Sequence, residues 1–326
     1  MTQVLGIDIS KETFDACLIV EGNSWHGKFE NAFTGFKKLQ RWVNKHVSEK
    51  VHACMEATGQ YGERLAEFLY QEGFGISVVN PARIKAYASS KLRRNKTDKA
   101  DAELIAWFCL REKPAFWSPP PASFKGLQAL VRHYENLQTT CQQEKNRLKS
   151  GGTHPAVLAD LQEHVAYLEE RMKRTRQAIR EHIQAYPELK QQQELLLSIP
   201  GIGELTASKL LGEIRDVCAF EDARQLAAYA GVTPRNFLSG TSVHKRSRMS
   251  KMGNANLRKT LYMPAISAKR HNPIVRAFCQ RLLLSGLRPK EVIGAAMRKL
   301  LHLVYGILKS GKPFDPGFLE KMPIAS

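Results

Sequence analysis

Apolar positions in the first part of the chain fall in short runs separated by turn residues, and they shift to helical spacing further on. Residues 3–9, built on Val4-Leu-Gly-Ile-Asp-Ile-Ser-Lys11, read as a strand. Thr13–Val20 reads as a second strand and Trp25–Asn31 as a third, with gaps short enough for an antiparallel meander. Phe33, Phe36, Leu39, Val43 and Val47 then recur at helical spacing. A strand is predicted over 51–56, and a helix follows from Tyr61 to Glu72 with Leu65, Phe68 and Leu69 inward. Gly75–Val79 reads as a fifth strand closed by Asn80-Pro81, then a helix from Ala82 and another from Asp98 to Arg111.

The predicted order βββαβαβα, with a final helix, is that of an α/β ribonuclease-H-like (RuvC-like) domain. Right-handed crossovers would place the first strand centrally with the fourth beside it. Four acids stand out against this pattern. Asp8 interrupts an apolar run, and Glu56 ends one. A carboxylate inside such a run costs free energy unless it is neutralised. Asp98 and Asp101 are three apart and share one helix face. Gathered by the fold, their hard oxygens would suit Mg²⁺ or Mn²⁺. Taken singly, each has a structural alternative: a capped or solvated strand end for Asp8 and Glu56, a helix N-terminus favoured by the macrodipole for the pair.

Four prolines in Lys113–Pro121 predict a stiff spacer. Beyond it Leu127, Leu130, Tyr134, Leu137, Cys141 and Leu148 fall on heptad positions, and after Gly151-Gly152 the pattern resumes at Leu158, Leu161, Val165, Leu168, Met172 and Ile179. This predicts a coiled-coil helical hairpin, whose small core favours a homo-oligomer, dimer to tetramer. Its Arg171, Lys173, Arg174, Arg176 and Arg180 form either a solvated face or a phosphate-contacting one.

Ser198-Ile-Pro-Gly-Ile-Gly-Glu204 has the form of a helix-hairpin-helix. Gly201 and Gly203 would permit a tight turn with backbone N–H groups open to a phosphate, or serve an ordinary helix–helix turn. Gly231–Lys251 reads as a flexible basic loop, with Arg235, Lys245, Arg246, Arg248 and Lys251 expected on a nucleic-acid backbone and Arg258 following. Helices are predicted over Asn256–Lys269, Pro273–Leu284 and Pro289–Leu308, with no strand, so this part is expected to be all-α. The expected domains are 1–112, a linker 113–123, the hairpin 124–186 and a helical domain 187–326.

Charge narrows the class of partner. Lys and Arg exceed Asp and Glu by 49 − 31 = 18, which points to a polyanion, with nucleic acid first. The sequence shows no membrane-length apolar run and no secretory signal at its start, so no membrane partner is expected. Six scattered cysteines without a C-x-x-C pair argue against a zinc site or disulfide framework and for a reducing cytoplasm.

With these motifs in place, the chain resembles the DEDD transposases of bacterial insertion sequences, the bridge-RNA-guided recombinases. The resemblance rests on Gly6-Ile-Asp-Ile-Ser-Lys11, Met55-Glu-Ala-Thr-Gly59, Val79-Asn-Pro81, Asn95-Lys-Thr-Asp-Lys-Ala-Asp101, Ile199–Gly203, Leu238-Ser-Gly240 and Ser250–Asn254 with Leu257-Arg258. It implies that Asp8, Glu56, Asp98 and Asp101 are the catalytic, metal-holding acids and that Ser239 is a nucleophile forming a transient phosphoserine link to DNA. It also implies double-stranded donor and target DNA and a structured guide RNA as partners. The competing readings are a junction-resolving nuclease of the same fold, using metal-activated water and so needing no serine, and a non-enzymatic nucleic-acid scaffold.

Overall fold

The computed structural model describes residues 3–47, 50–57, 59–91, 97–151, 154–239 and 243–317, with the backbone alone at 60, 236–239 and 243–247. The chain divides into two compact units, 1–119 and 120–326.

In the first unit the strands are β1 (Gln3–Ile9), β2 (Thr13–Val20), β3 (Asn23–Glu30), β4 (Val51–Glu56) and β5 (Gly75–Val79). They form one sheet in the order β3-β2-β1-β4-β5, with β1 antiparallel to β2 and parallel to β4. The central strand is covered on both faces, which explains why it is apolar almost throughout. Leu5, Ile7 and Ile9 pack with residues of α1 (Phe33–His46) and α2 (Gln60–Gln71). On the other face Val4, Cys17, Cys54 and Val79 meet α3 (Pro81–Ser90) and α4 (Asp98–Glu112).

The proline-rich segment is less of a spacer than its composition suggests. Pro114 and Ala115 each accept a bond from the Ser77 hydroxyl, at 3.0 and 2.8 Å, and Trp117 N–H donates to the Ile76 carbonyl at 2.6 Å. Phe116 lies against the His52 ring at 4.7 Å and over Gly75, where a Cβ would come within 2.6 Å of it. Proline removes donors only at its own positions. The residues between therefore dock this stretch along β5.

The second unit begins with a helical hairpin of α5 (Ala122–Ser150) and α6 (Pro155–Ala185). Leu127, Tyr134 and Cys141 on α5, and Leu161, Leu168 and Thr175 on α6, are buried at seven-residue steps, as an intramolecular coiled-coil seam requires. At its foot Phe124, Val131, Ile179 and Ile183 join the same core as the helical body, so the hairpin and the body form one unit. That body contains α7 (Pro187–Leu197), α8 (Glu204–Ile214), α9 (Ala223–Tyr229), α10 (Ala255–His271), α11 (Pro273–Leu284) and α12 (Pro289–Ser310). Val292, Ala296, Leu300 and Val304, four residues apart on α12, are fully buried and form its spine.

The expectation of an all-α second unit fails at one place. Pro234–Ser239 and Val243–Met249 form an antiparallel pair, β6 and β7, with Arg235 opposite Arg248, Ser239 opposite Val243, and an irregularity between 235 and 237. A two-stranded ribbon buries neither face fully, so its sequence lacks the alternation that marks a strand in a packed sheet.

Candidate functional site

The site in the first unit is organised by Gly6. A Cβ there would collide with the Ala102 carbonyl oxygen and the Ala106 amide nitrogen, so only glycine lets α4 lie directly on β1. Two residues along β1, on the same face, comes Asp8. The parallel register pairs Ile7 with Met55, which sets Glu56 beside Asp8 at the carboxyl ends of adjacent strands.

The direction of α4 follows from its contacts. Cys109 Sγ reaches the His52 carbonyl at 3.7 Å, level with Val4, whereas Ala102 lies over Gly6. The helix therefore runs opposite to β1, and its N-terminus points toward the Asp8 end. Thr97 caps that terminus by accepting a bond from Ala100 N–H at 3.2 Å. Asp98 and Asp101 occupy the first turn, on the stripe that continues into the buried Ala102, Ile105 and Ala106. Asp8, Glu56 and Asp101 are half-buried and Asp98 is exposed.

A fifth acid escaped the sequence reading. Asp15 pairs with Asp8 across β1 and β2 and so shares its face. It carries its own cation, Lys28, at 3.5 Å. Beneath the acids, the hydrogen bond that Cys54 shares with Cys109, reinforced by burial, pushes the Cys54 thiol above its ordinary range, and the same bond holds the Cys109 thiol down to about 6. Burial, with Lys99 nearby, holds the His26 imidazole below its ordinary value.

The donor set suits a hard divalent cation in its chemistry: two strand-end carboxylates, and two more in a helix turn at the same end of the sheet. Among the described residues, however, no three His, Cys, Asp or Glu stand close enough to share one ion. The acids occupy one face without forming a single coordination sphere.

In the second unit the turn before α8 divides its two glycines between roles. Gly201 sits at φ +105°, and a Cβ there would come within 2.7 Å of the Ala268 amide nitrogen, so it serves packing against α10. Gly203 at the N-cap of α8 meets nothing within 4 Å and leaves that helix end open. Its first residue, Glu204, is held by Arg180 through two bonds of 2.7 Å, which lower its carboxyl below the usual range.

The Ser250–Asn254 motif is an anchor for the ribbon. Lys251 is left-handed at φ 57° and Gly253 at φ +134° packs onto the Tyr229 carbonyl. Asn254 caps α10 by accepting from Leu257 N–H at 3.0 Å and donates to Glu213 at 2.7 Å. Glu213, on α8 and almost fully buried, also receives Arg132 from α5 at 3.0 and 3.3 Å. One buried carboxylate thus ties α5, α8 and the start of α10 together. No sequence signal marked it, because Glu213 looks like any acid in a helix. Arg258, expected on nucleic acid, donates to the Ala230 carbonyl at 3.1 Å and so helps fix the same turn. Arg235, Arg248 and Lys251 are exposed. Ser239 ends β6, and the Lys245 and Arg246 side chains lie outside the described residues, as does Gly240.

Known proteins converge on these two regions. Residues 5–151 match the family profile DEDD_Tnp_IS110, described as Transposase, and residues 193–280 match the profile described as Transposase IS116/IS110/IS902 family. The chain is 36% identical over 316 residues to the "Pilin gene-inverting protein" of Moraxella bovis, covering 95% of this chain and 97% of that one. It is 28% identical to the "Transposase for insertion sequence element IS1111A" of Coxiella burnetii, covering 82% of this chain and 78% of that one. Two profiles spanning both units, and a relative matched almost end to end, place the chain in the IS116/IS110/IS902 family of transposases.

Proposed function

We propose that this transposase cuts and rejoins double-stranded DNA with Asp8, Glu56, Asp98 and Asp101 as holders of Mg²⁺ or Mn²⁺ and Ser239 as the nucleophile, directed by a structured guide RNA. The observation that carries the reading is the register that sets Asp8 beside Glu56 under the acidic first turn of α4. Carboxylates near phosphate repel it unless a cation intervenes. A bound divalent ion would polarise the scissile phosphate and lower the barrier to attack by a hydroxyl.

The step assigned to Ser239 balances simply. Its Oγ forms a bond to phosphorus, the bond from phosphorus to the leaving sugar oxygen breaks, and the hydroxyl proton ends on that sugar oxygen. Attack by a sugar hydroxyl of another strand reverses the step and returns the serine. A serine hydroxyl is a weak nucleophile unless activated. No Asp or Glu lies between Asp222 and Glu291 in the sequence, so activation would be supplied by a cation that Asp8, Glu56, Asp98 and Asp101 would hold. The basic Arg235 and Lys245 would balance the charge that develops on the phosphate. The name of the Moraxella bovis relative makes inversion of a DNA segment a product to look for alongside insertion.

The test is a denaturing gel with end-labelled DNA, run with the protein co-purified with its own transcript. Wild type is expected to give an adduct that protease removes, and Ser239→Ala none. An adduct persisting in Ser239→Ala, or mapping to Ser242 or Ser247, refutes the serine assignment. Cleavage without any adduct favours attack by water.

A further inference from the structure

A cleft of about 800 Å³ opens in the second unit where α8, α10 and α12 meet the end of β7, well within the size range of ligand sites. Its rim carries Tyr262 and Met263, 50% and 67% exposed, an unusual pair to leave in water. Lys259 and Lys290, exposed beside them, make no salt bridge among the described residues. The acid of the cleft, Glu135, is already paired with Lys209 at 3.0 Å, so the net charge facing a ligand is positive. An aromatic ring, a thioether and unpaired ammonium groups together match a nucleotide: a base face for the ring and phosphates for the cations.

Position supports the same occupant. Met249, the last residue of β7, lines the cleft and packs on α12, where a Cβ at Gly294 would lie 3.1 Å from its methyl. The ribbon ending in Ser239 therefore stands on the cleft's edge. Val243, opposite Ser239, is six residues from Met249, about 20 Å at strand rise. At the duplex spacing of about 3.4 Å per nucleotide this is roughly six nucleotides.

We propose that the cleft holds an unstacked base of a single DNA strand, with its ring on Tyr262 and the flanking phosphates on Lys259 and Lys290. The base lies about six nucleotides from the cleaved bond; this distance alone rests on Ser239 being the nucleophile. Strand exchange requires bases to leave their partners, and a sequence-tolerant stacking platform would hold one that has done so.

The experiment uses the full-length protein and single-stranded oligonucleotides carrying 2-aminopurine, whose fluorescence falls on stacking. Wild type is expected to quench it. Tyr262→Ala should lose the quenching and bind roughly fivefold to 150-fold more weakly, the range for one lost base–aromatic stack, whereas Tyr262→Phe keeps both. The double change Lys259→Ala and Lys290→Ala should reduce the slope of log affinity against log salt by about 1.4. Quenching that survives Tyr262→Ala, an unchanged salt slope, or quenching only with a fully paired duplex overturns the cleft assignment. Ser239→Ala must leave quenching intact, so failure of the serine chemistry is distinguishable from failure of the cleft. Moving the probe along a substrate tests the spacing separately, and maximal quenching far from six nucleotides overturns it.

Discussion

The two regions to which we assign the chemistry are positioned by opposite means. In the first unit the acids sit on the ends of β1 and β4, whose register is fixed by neighbours on both sides and by apolar cores on both faces. In the second unit Ser239 ends one strand of a two-stranded ribbon, whose foot is held by the Glu213–Arg132–Asn254 network. A metal site demands placement to a fraction of an ångström, which a packed sheet provides. The nucleophile we propose would need reach to form and release a bond to DNA, and a ribbon held at its foot would provide it. The contrast teaches that the rigid site should break by displacement of its backbone and the ribbon by loss of its anchor.

The largest effect is expected at Asp8. Asp8→Asn should abolish metal-dependent cleavage while leaving DNA affinity intact or raised, because a charge repelling phosphate is removed; gel cleavage and filter binding on one preparation decide it, and full cleavage would refute the metal role. Gly6→Ala tests the scaffold beneath. Its methyl would drive into the Ala102 carbonyl, so α4 must shift. A loss of about 1–3 kcal/mol in urea unfolding is expected, with cleavage reduced although every acid remains.

For the ribbon, Glu213→Ala leaves Arg132 without its buried partner. Arg132 is itself 39% exposed and can turn to solvent, so a loss of about 1–3 kcal/mol, that of the bonds from Arg132 and Asn254, is expected, read as a fall in melting temperature. A merely surface role for Glu213 would leave the melting curve in place.

The outer face of the hairpin sharpens the comparison further. Leu161 and Leu168 are already buried within it, so changing them would unmake the hairpin rather than test association. Tyr167, 60% exposed, and Val157, 39% exposed, are what remains for a second subunit. Tyr167→Glu with Val157→Glu should lower the mass seen by light scattering; an unchanged mass means subunits, if they associate, do so elsewhere.

The smallest effect is with pH. Burial, helped by Arg298 and Lys299, holds His302 below its ordinary value. The folded second unit therefore binds fewer protons there than the unfolded chain. The stability contributed is present above about pH 6.5 and declines as pH falls below it. His302→Gln should flatten that acid-side decline, and an unaltered pH profile would remove His302 from the account.

Local patterns made much of this legible. Gly6-Ile-Asp8 and Met55-Glu56 announce strands that carry acids, because apolar runs report burial and a carboxylate within one is conspicuous. The seven-residue steps of α5 and α6 are equally direct, since heptads follow from helix geometry alone. β6 and β7 were hidden because a two-stranded ribbon, with no sheet packed on both faces, needs no apolar alternation. The Pro114–Trp117 docking was hidden because its bonds use backbone groups that every residue possesses.

The sequence by itself determined the order of strands and helices in the first unit, the four acids, the basic balance and the family motifs. These depend on residue type and short spacing. Tertiary structure alone decided that α4 runs back toward Asp8, that Gly201 packs against Ala268 instead of standing open, that Asp15 faces Asp8, and that Glu213 joins three helices. Each of these is a meeting of residues far apart in the chain, and which distant residues meet is set by how whole faces pack.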